Sequence, residues 1–127
     1  MRRVIIDMKN RLFSDAIKQA LTRFDSDFEA YNADKPDETA ELCHILHPYA
    51  LIMEVTAPAP WNLEKRLKLR DTVKAQEPDC KIVLVVDENV EKKLADRVRQ
   101  AKKDGLIDNF IYCSISTAYL SAVIDAL

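Results

Sequence analysis

Ala50-Leu51-Ile52-Met53 and Ile82-Val83-Leu84-Val85-Val86 decide how this chain is read. Neither run alternates apolar with polar residues, as a strand with one wet face would. Short unbroken runs of this kind read as strands buried on both faces, the pattern of a parallel sheet. Val4-Ile5-Ile6 is a third such run, and Ile107 to Tyr112 (Ile-Asp-Asn-Phe-Ile-Tyr) a fourth. Phe28-Glu29-Ala30-Tyr31 is more mixed and fits an edge strand.

Helical patterns fill the gaps. Leu12, Phe13, Ala16, Ile17, Ala20 and Leu21 recur at helical spacing. Pro36 to Leu46 opens with proline and acids, a helix start. Asn62 to Gln76 is long and charged, with Glu64 four residues before Lys68. Val90, Leu94, Val98 and Ala101 form the next stripe, and Gly105 follows as a C-terminal cap. Leu120, Val123, Ile124 and Leu127 form the last, with Ser116 as its N-cap. Strand and helix therefore alternate through five βα units of roughly 25 residues each, which implies a parallel sheet covered on both faces. Right-handed crossovers and an edge-like second strand favour the flavodoxin-like order 2-1-3-4-5.

Composition narrows the function. The 127 residues make one domain, 1–127, and 48% hydrophobic content is enough for a real core. A net charge of −2 gives no global pull toward nucleic acid or an anionic membrane. No apolar run approaches the ~20 residues of a membrane span. Met1-Arg2-Arg3-Val4 lacks the apolar stretch of a signal peptide, so a cytoplasmic location is expected. The single glycine, Gly105, excludes most glycine-rich phosphate loops. Cys43, Cys80 and Cys113 are scattered and odd in number, which suits reduced thiols, and no Cys-x-x-Cys pair supports zinc.

In an open parallel sheet, ligands sit beyond the carboxyl ends of the strands. The residues there are Asp7-Met8-Lys9, Glu54-Val55-Thr56, Asp87-Glu88 and Cys113-Ser114. Three ends carry a carboxylate. Such a cluster can hold Mg²⁺ through oxygen ligands; alternatively, each acid caps the helix that follows or stays in water.

With these segments the chain resembles the receiver domains of bacterial response regulators. The resemblance is carried by Val4-Ile5-Ile6 with Arg11 to Ile17, by His47-Pro48-Tyr49-Ala50-Leu51-Ile52-Met53-Glu54-Val55, by Lys81 to Val86 and by Phe110 to Ser116. It implies a phosphate-controlled switch that regulates an output partner. It also implies that much of the chemistry is missing. The paired acids that hold Mg²⁺ in the family fall on Met8 and Lys9, and Asp7 substitutes only if the loop is longer. Glu54 takes the place of the phosphorylated aspartate, Val86 that of a hydroxyl residue, and Cys113 that of a lysine. Phe110 falls where the family often keeps a switching aromatic. Phosphoryl transfer to a carboxylate rests on positioning and charge neutralisation, and these residues offer little of either. The expectation is a degenerate, phosphorylation-independent receiver without cofactor, in which the Lys9 ammonium pairs with Asp7 and Glu54 in place of Mg²⁺. The alternative is an Mg²⁺-dependent phosphoacceptor with a pocket rearranged around Asp7 and Asp87. A flavin-binding protein of the same shape is weaker, because Asp7-Met8-Lys9-Asn10 is no flavin phosphate loop.

Other residues are weighed the same way. Cys43, His44 and His47 lie near one helix end but lack a fourth ligand, so the histidines read as surface residues. Cys113 reads as a half-buried inert thiol. Lys65, Arg66, Lys68, Arg70 and Lys74 read as a solvated charged face, and no direct nucleic-acid contact is expected. The last helix is apolar on nearly every side, with Tyr119, Ala122 and Ala126 making a second stripe. Such a helix either has a partner on its outer face or is an alanine-rich helix of good propensity. The resemblance implies dimerisation through the last two helices and the fifth strand, with Tyr112 beside them and Lys92, Asp96, Arg99 and Lys103 supplying ion pairs. Leu127 falls inside a helical pattern, so the chain reads equally as complete or as the N-terminal part of a longer transcription regulator.

Overall fold

The computed structural model describes residues 1–127. Five parallel strands form one sheet in the order β2-β1-β3-β4-β5. They are β1 (Arg2–Asp7), β2 (Phe28–Asn32), β3 (Ala50–Glu54), β4 (Lys81–Val86) and β5 (Asn109–Tyr112). The helices are α1 (Arg11–Phe24), α2 (Thr39–Leu46), α3 (Leu63–Gln76), α4 (Lys92–Lys103) and α5 (Thr117–Asp125).

The strand runs are unbroken because both sheet faces are dry. Ile5, Leu51, Met53, Ile82 and Leu84 point into a core shared with α2, α3 and α4. Val4, Ile6, Ala50, Ile52, Val83 and Val85 point the other way, toward Ile17, Leu21, Leu120 and Ile124 of α1 and α5. Each full burial is worth roughly 1.5–3 kcal/mol per large aliphatic side chain.

Local signals set most of the boundaries. Asn10 caps α1 by accepting from the Phe13 N–H at 3.1 Å, and Ser116 caps α5 by accepting from Tyr119 N–H at 3.2 Å. Gly105, at φ 77°, takes the left-handed turn after α4. Four readings need correction. The Pro36 start is a 3₁₀ turn, Pro36–Glu38, which hands over to α2 at Thr39. Val90 stands before α4 and is exposed, so it belongs to no buried stripe. The fifth strand is shorter than its apolar run. The Asp108 N–H donates to the Ile82 carbonyl at 2.9 Å, but the Ile82 N–H is taken by the Asp108 carboxylate at 2.7 Å, so a side chain replaces one backbone bond of the ladder there. Glu64 pairs with Arg97 of α4 and not with Lys68.

Register brings the strand ends level. Asp7 lies beside Met53, Glu54 beside Val85, and Val86 beside Tyr112. The carboxyl ends of β1, β3, β4 and β5 thus share one edge, at the point where the chain reverses its direction of winding.

Candidate functional site at the strand ends

Asp7 ends β1 with its side chain buried, against a second buried charge, Arg66 of α3; the two side chains are 2% and 1% exposed. Arg66 Nη1 donates to Asp7 Oδ2 at 2.7 Å and Nη2 to Oδ1 at 3.2 Å. Nη2 also donates to the Asp7 carbonyl at 3.0 Å, and Nε to the Glu54 carbonyl at 2.8 Å. The Thr39 hydroxyl, at the start of α2, donates to Asp7 Oδ2 at 2.7 Å. One planar guanidinium therefore ties the ends of β1 and β3 together and neutralises the acid between them. A buried ion pair is tolerable only when its remaining hydrogen-bonding groups are satisfied in this way.

This corrects two expectations. The cation at the strand ends is Arg66, not Lys9, and Arg66 is no part of a solvated face. Lys9 turns outward, its ammonium 5.5 Å above the ring of Trp61. What Lys9 gives Glu54 is its backbone: Glu54 Oε1 accepts from Lys9 N–H at 2.7 Å and from Asn10 N–H at 3.1 Å. The longer glutamate arm reaches the β1–α1 loop and fixes it just ahead of the Asn10 cap.

The remaining positions divide between core and turn. Met8 and Val86 are buried apolar residues on opposite faces of the sheet. Asp87 Oδ1 accepts from Asn89 N–H at 3.0 Å and Val90 N–H at 3.3 Å, a side-chain turn leading into α4. Glu88 accepts a hydrogen bond from the Ser114 hydroxyl. Cys113 is half-buried; burial first, then the charges of Glu54, Asp87 and Glu88, push its thiol up to about 11. A thiol so placed stays protonated and is a poor nucleophile.

An Mg²⁺ ion of the kind the fold family implies does not fit these residues. Both oxygens of Asp7 already accept from Arg66 or Thr39. No three His, Cys, Asp or Glu side chains form a cluster that could hold a metal ion.

At the open side of β5 two of the dimerisation candidates, Tyr112 and Tyr119, line one groove. Phe110 and Tyr112 meet edge to face at 5.5 Å between ring centres. The Tyr112 hydroxyl accepts from Arg99, which also pairs with Asp96, and Lys102 sits 5.8 Å above Phe110. A groove of about 330 Å³ runs between Phe110, Tyr112, Ile115, Tyr119 and Val123. Tyr119 is 60% exposed. Ala122, Ala126, Lys92 and Lys103 are exposed as well.

Sequence reading missed Arg66 and Thr39. The signal for Arg66 was present: it lies on the stripe marked by the buried Leu63 and Val73 of α3. A basic residue on a buried stripe calls for a buried acid, and Asp7 is that acid.

No protein-family model matches the sequence, and neither does any curated protein. Solved structures do match. A LuxR-family DNA-binding response regulator from Staphylococcus aureus superposes with a TM-score of 0.77 at 16% identity, covering 99% of this chain and 98% of that one. A response regulator from Thermotoga maritima gives 0.77 at 18% identity, covering 99% and 96%. A protein from a family of streptococcal redox sensors evolved from two-component response regulators gives 0.77 at 11% identity, covering 99% of this chain and 50% of that one. The chain has the fold of a response-regulator receiver domain.

Proposed function

We propose that this domain is a receiver module that signals through protein contacts, without phosphorylation and without Mg²⁺. The observation that carries this reading is the Arg66 guanidinium bonded to Asp7 and to the ends of β1 and β3. A fixed, internally supplied cation stands where a switch would need a removable one. Neutral, buried Val86 and protonated Cys113 add no group that would stabilise a phosphoryl transition state. The module is a binding domain and not an enzyme. It pairs with a second copy through the groove of α4, β5 and α5, and it hands its state to an output domain or partner protein. The streptococcal neighbour is described as a redox sensor descended from response regulators, so this scaffold has been put to other sensing elsewhere.

Trp61, the only tryptophan, reports on the site through Lys9 and the β3–α3 loop. Mg²⁺ is titrated, then Mg²⁺ with beryllium fluoride, while Trp61 fluorescence and light scattering are followed. No fluorescence response, with dimer present throughout, is the expected result. A saturable response to millimolar Mg²⁺, with dimer forming only on fluoride addition, overturns the proposal in favour of a rearranged phosphoacceptor.

A further inference from the structure

Two large exposed aliphatic side chains serve neither the core nor the strand-end site. Ile45 of α2 is 61% exposed, and Val90, just ahead of α4, is 75% exposed. Their surroundings carry opposite charge. Ile45 lines a groove of about 330 Å³ with Ala33 and Leu42, and Asp34, Glu38 and Glu41 complete the lining. Asp34 pairs with Arg11, but Glu38 and Glu41 are exposed and make no ion pair within the chain. Residues 34–41 hold four acids against one base, whereas α4 holds six bases against one acid.

Val90 stands on a fixed turn, because Asp87 Oδ1 accepts from its N–H at 3.3 Å. The exposed charges beside it are Lys92 and Lys93, and neither makes an ion pair within the chain. The acids nearby are half-buried and engaged elsewhere. Asp87 holds the turn, Glu88 accepts from Ser114, and Glu91 lines a separate groove with Arg97. The acidic groove and the basic knob also lie toward opposite sides of the sheet. The groove follows the end of β2, an edge strand, and α4 packs on β4 and β5. One molecule therefore cannot close the contact on itself, and a second copy can.

We propose that the α2 groove receives Val90 of a second copy of this chain, with Lys92 and Lys93 of that copy against Glu38 and Glu41. Seating Val90 against Ala33, Leu42 and Ile45 takes apolar surface of both copies out of water. The opposite charges set the orientation and speed the encounter. The two surfaces are unlike, so each copy keeps a free groove at one end and a free Val90 at the other. Copies then add in a row unless the rotation between them closes a ring. One aliphatic knob and a few exposed ion pairs make a weak contact, which acts where copies are concentrated. It uses neither Tyr119 nor the edge of β5, so it goes beyond the receiver reading and does not need the α4–β5–α5 dimer.

The test is sedimentation of the full chain from about 10 µM to about 1 mM, in about 20 mM and about 500 mM salt. The expected mass grows with concentration in low salt and falls back in high salt. Val90→Asp, and separately Glu38→Lys with Glu41→Lys, weaken this growth at least tenfold. The first variant keeps its groove and the second keeps its Val90, so a one-to-one mixture restores a single contact that neither makes alone. That restored contact also shows both variants to be folded. A mass that stays constant up to about 1 mM in low salt overturns the proposal and leaves the groove to a different basic partner. Growth indifferent to Val90→Asp, growth lost in Tyr119→Lys instead, or a mixture that stays apart overturns it as well.

Discussion

Arg66 and Asp7 are 59 positions apart, and both nitrogens of the guanidinium fork donate to the carboxylate from inside the protein. The pair joins the ends of two neighbouring strands to a helix on one side of the sheet, at the place where an open α/β fold binds its ligands. Its value lies more in specifying one arrangement than in net stability. Moving both charges out of water costs much of what their attraction returns.

Breaking the pair from one side is therefore the harsher experiment. Arg66→Met leaves Asp7 buried without its cation and should cost about 3–5 kcal/mol in urea unfolding. Arg66→Met combined with Asp7→Leu removes both charges and should recover most of that loss. A double variant no more stable than the single one would show that the guanidinium matters through the strand-end carbonyls rather than through Asp7.

Arg66 also marks where sequence reading stops. The sheet was legible because strands buried on both faces must be apolar throughout, as Ile82 to Val86 are. The order of strands was legible because Phe28 to Tyr31 lacked that continuity. A buried arginine has no such mark: among Lys65, Lys68 and Lys74 it looks like one more solvated charge. Only the placement of Leu63 and Val73 on the same stripe separates it from them. Lys9 drew the opposite error. Its nearness in sequence to Asp7 suggested an ion pair, but its backbone, not its ammonium, faces the site.

From that difference a contrast follows. Lys9→Ala keeps the N–H that Glu54 uses, so stability should change by less than about 0.5 kcal/mol. Glu54→Ala gives the exposed Lys9 and Asn10 N–H groups over to water and loosens the loop ahead of the α1 cap, at a cost of about 1–2 kcal/mol for the two lost bonds. Equal losses in the two variants, measured by denaturant midpoint, would restore the ammonium to the site.

Glu64 offers a test on the acid side. The Arg97 guanidinium, with help from the Glu64 backbone N–H and Asn62, lowers the Glu64 carboxyl to about 2 from an ordinary 4.5. A lowered carboxyl stabilises the fold above its unfolded value and ceases to do so as pH falls through its folded value. Any contribution is thus lost between about 4.5 and 2. Both partners are exposed, so added salt should weaken it. The Glu64 carboxyl carbon, followed by NMR, should titrate near 2 in the parent and shift toward the ordinary 4.5 in Arg97→Ala, with the backbone and Asn62 bonds still holding it somewhat below.

Cys113 gives the matching test on the alkaline side. Its thiol is raised from 9.0 to about 11, so the folded state holds its proton where the unfolded chain has lost it. The stabilisation is present below about 9 and is lost as pH rises toward 11. Alkylation of the native protein at pH 8 should be slow at Cys113. Glu88→Gln removes one of the three acids facing it and should speed the reaction several-fold. An unchanged rate would leave burial and the charges of Glu54 and Asp87 as the causes.

The groove of α4, β5 and α5 carries the dimer reading, and Tyr119 is the residue to change. It is the largest exposed apolar side chain on α5, stands at the rim of the groove and makes no hydrogen bond through its hydroxyl within the chain. Aromatic rims of this kind are where interface energy concentrates. Tyr119→Lys puts a charge beside Lys102 and should raise the dimer dissociation constant at least tenfold in sedimentation, with unfolding unchanged within about 0.5 kcal/mol. Arg99→Ala is the companion variant: it frees the Tyr112 hydroxyl and leaves Asp96 unpaired, so it should weaken the dimer without touching the strand-end site. A dimer indifferent to both changes would move the contact elsewhere, first to the α1–α5 groove beside Phe24, which is also exposed.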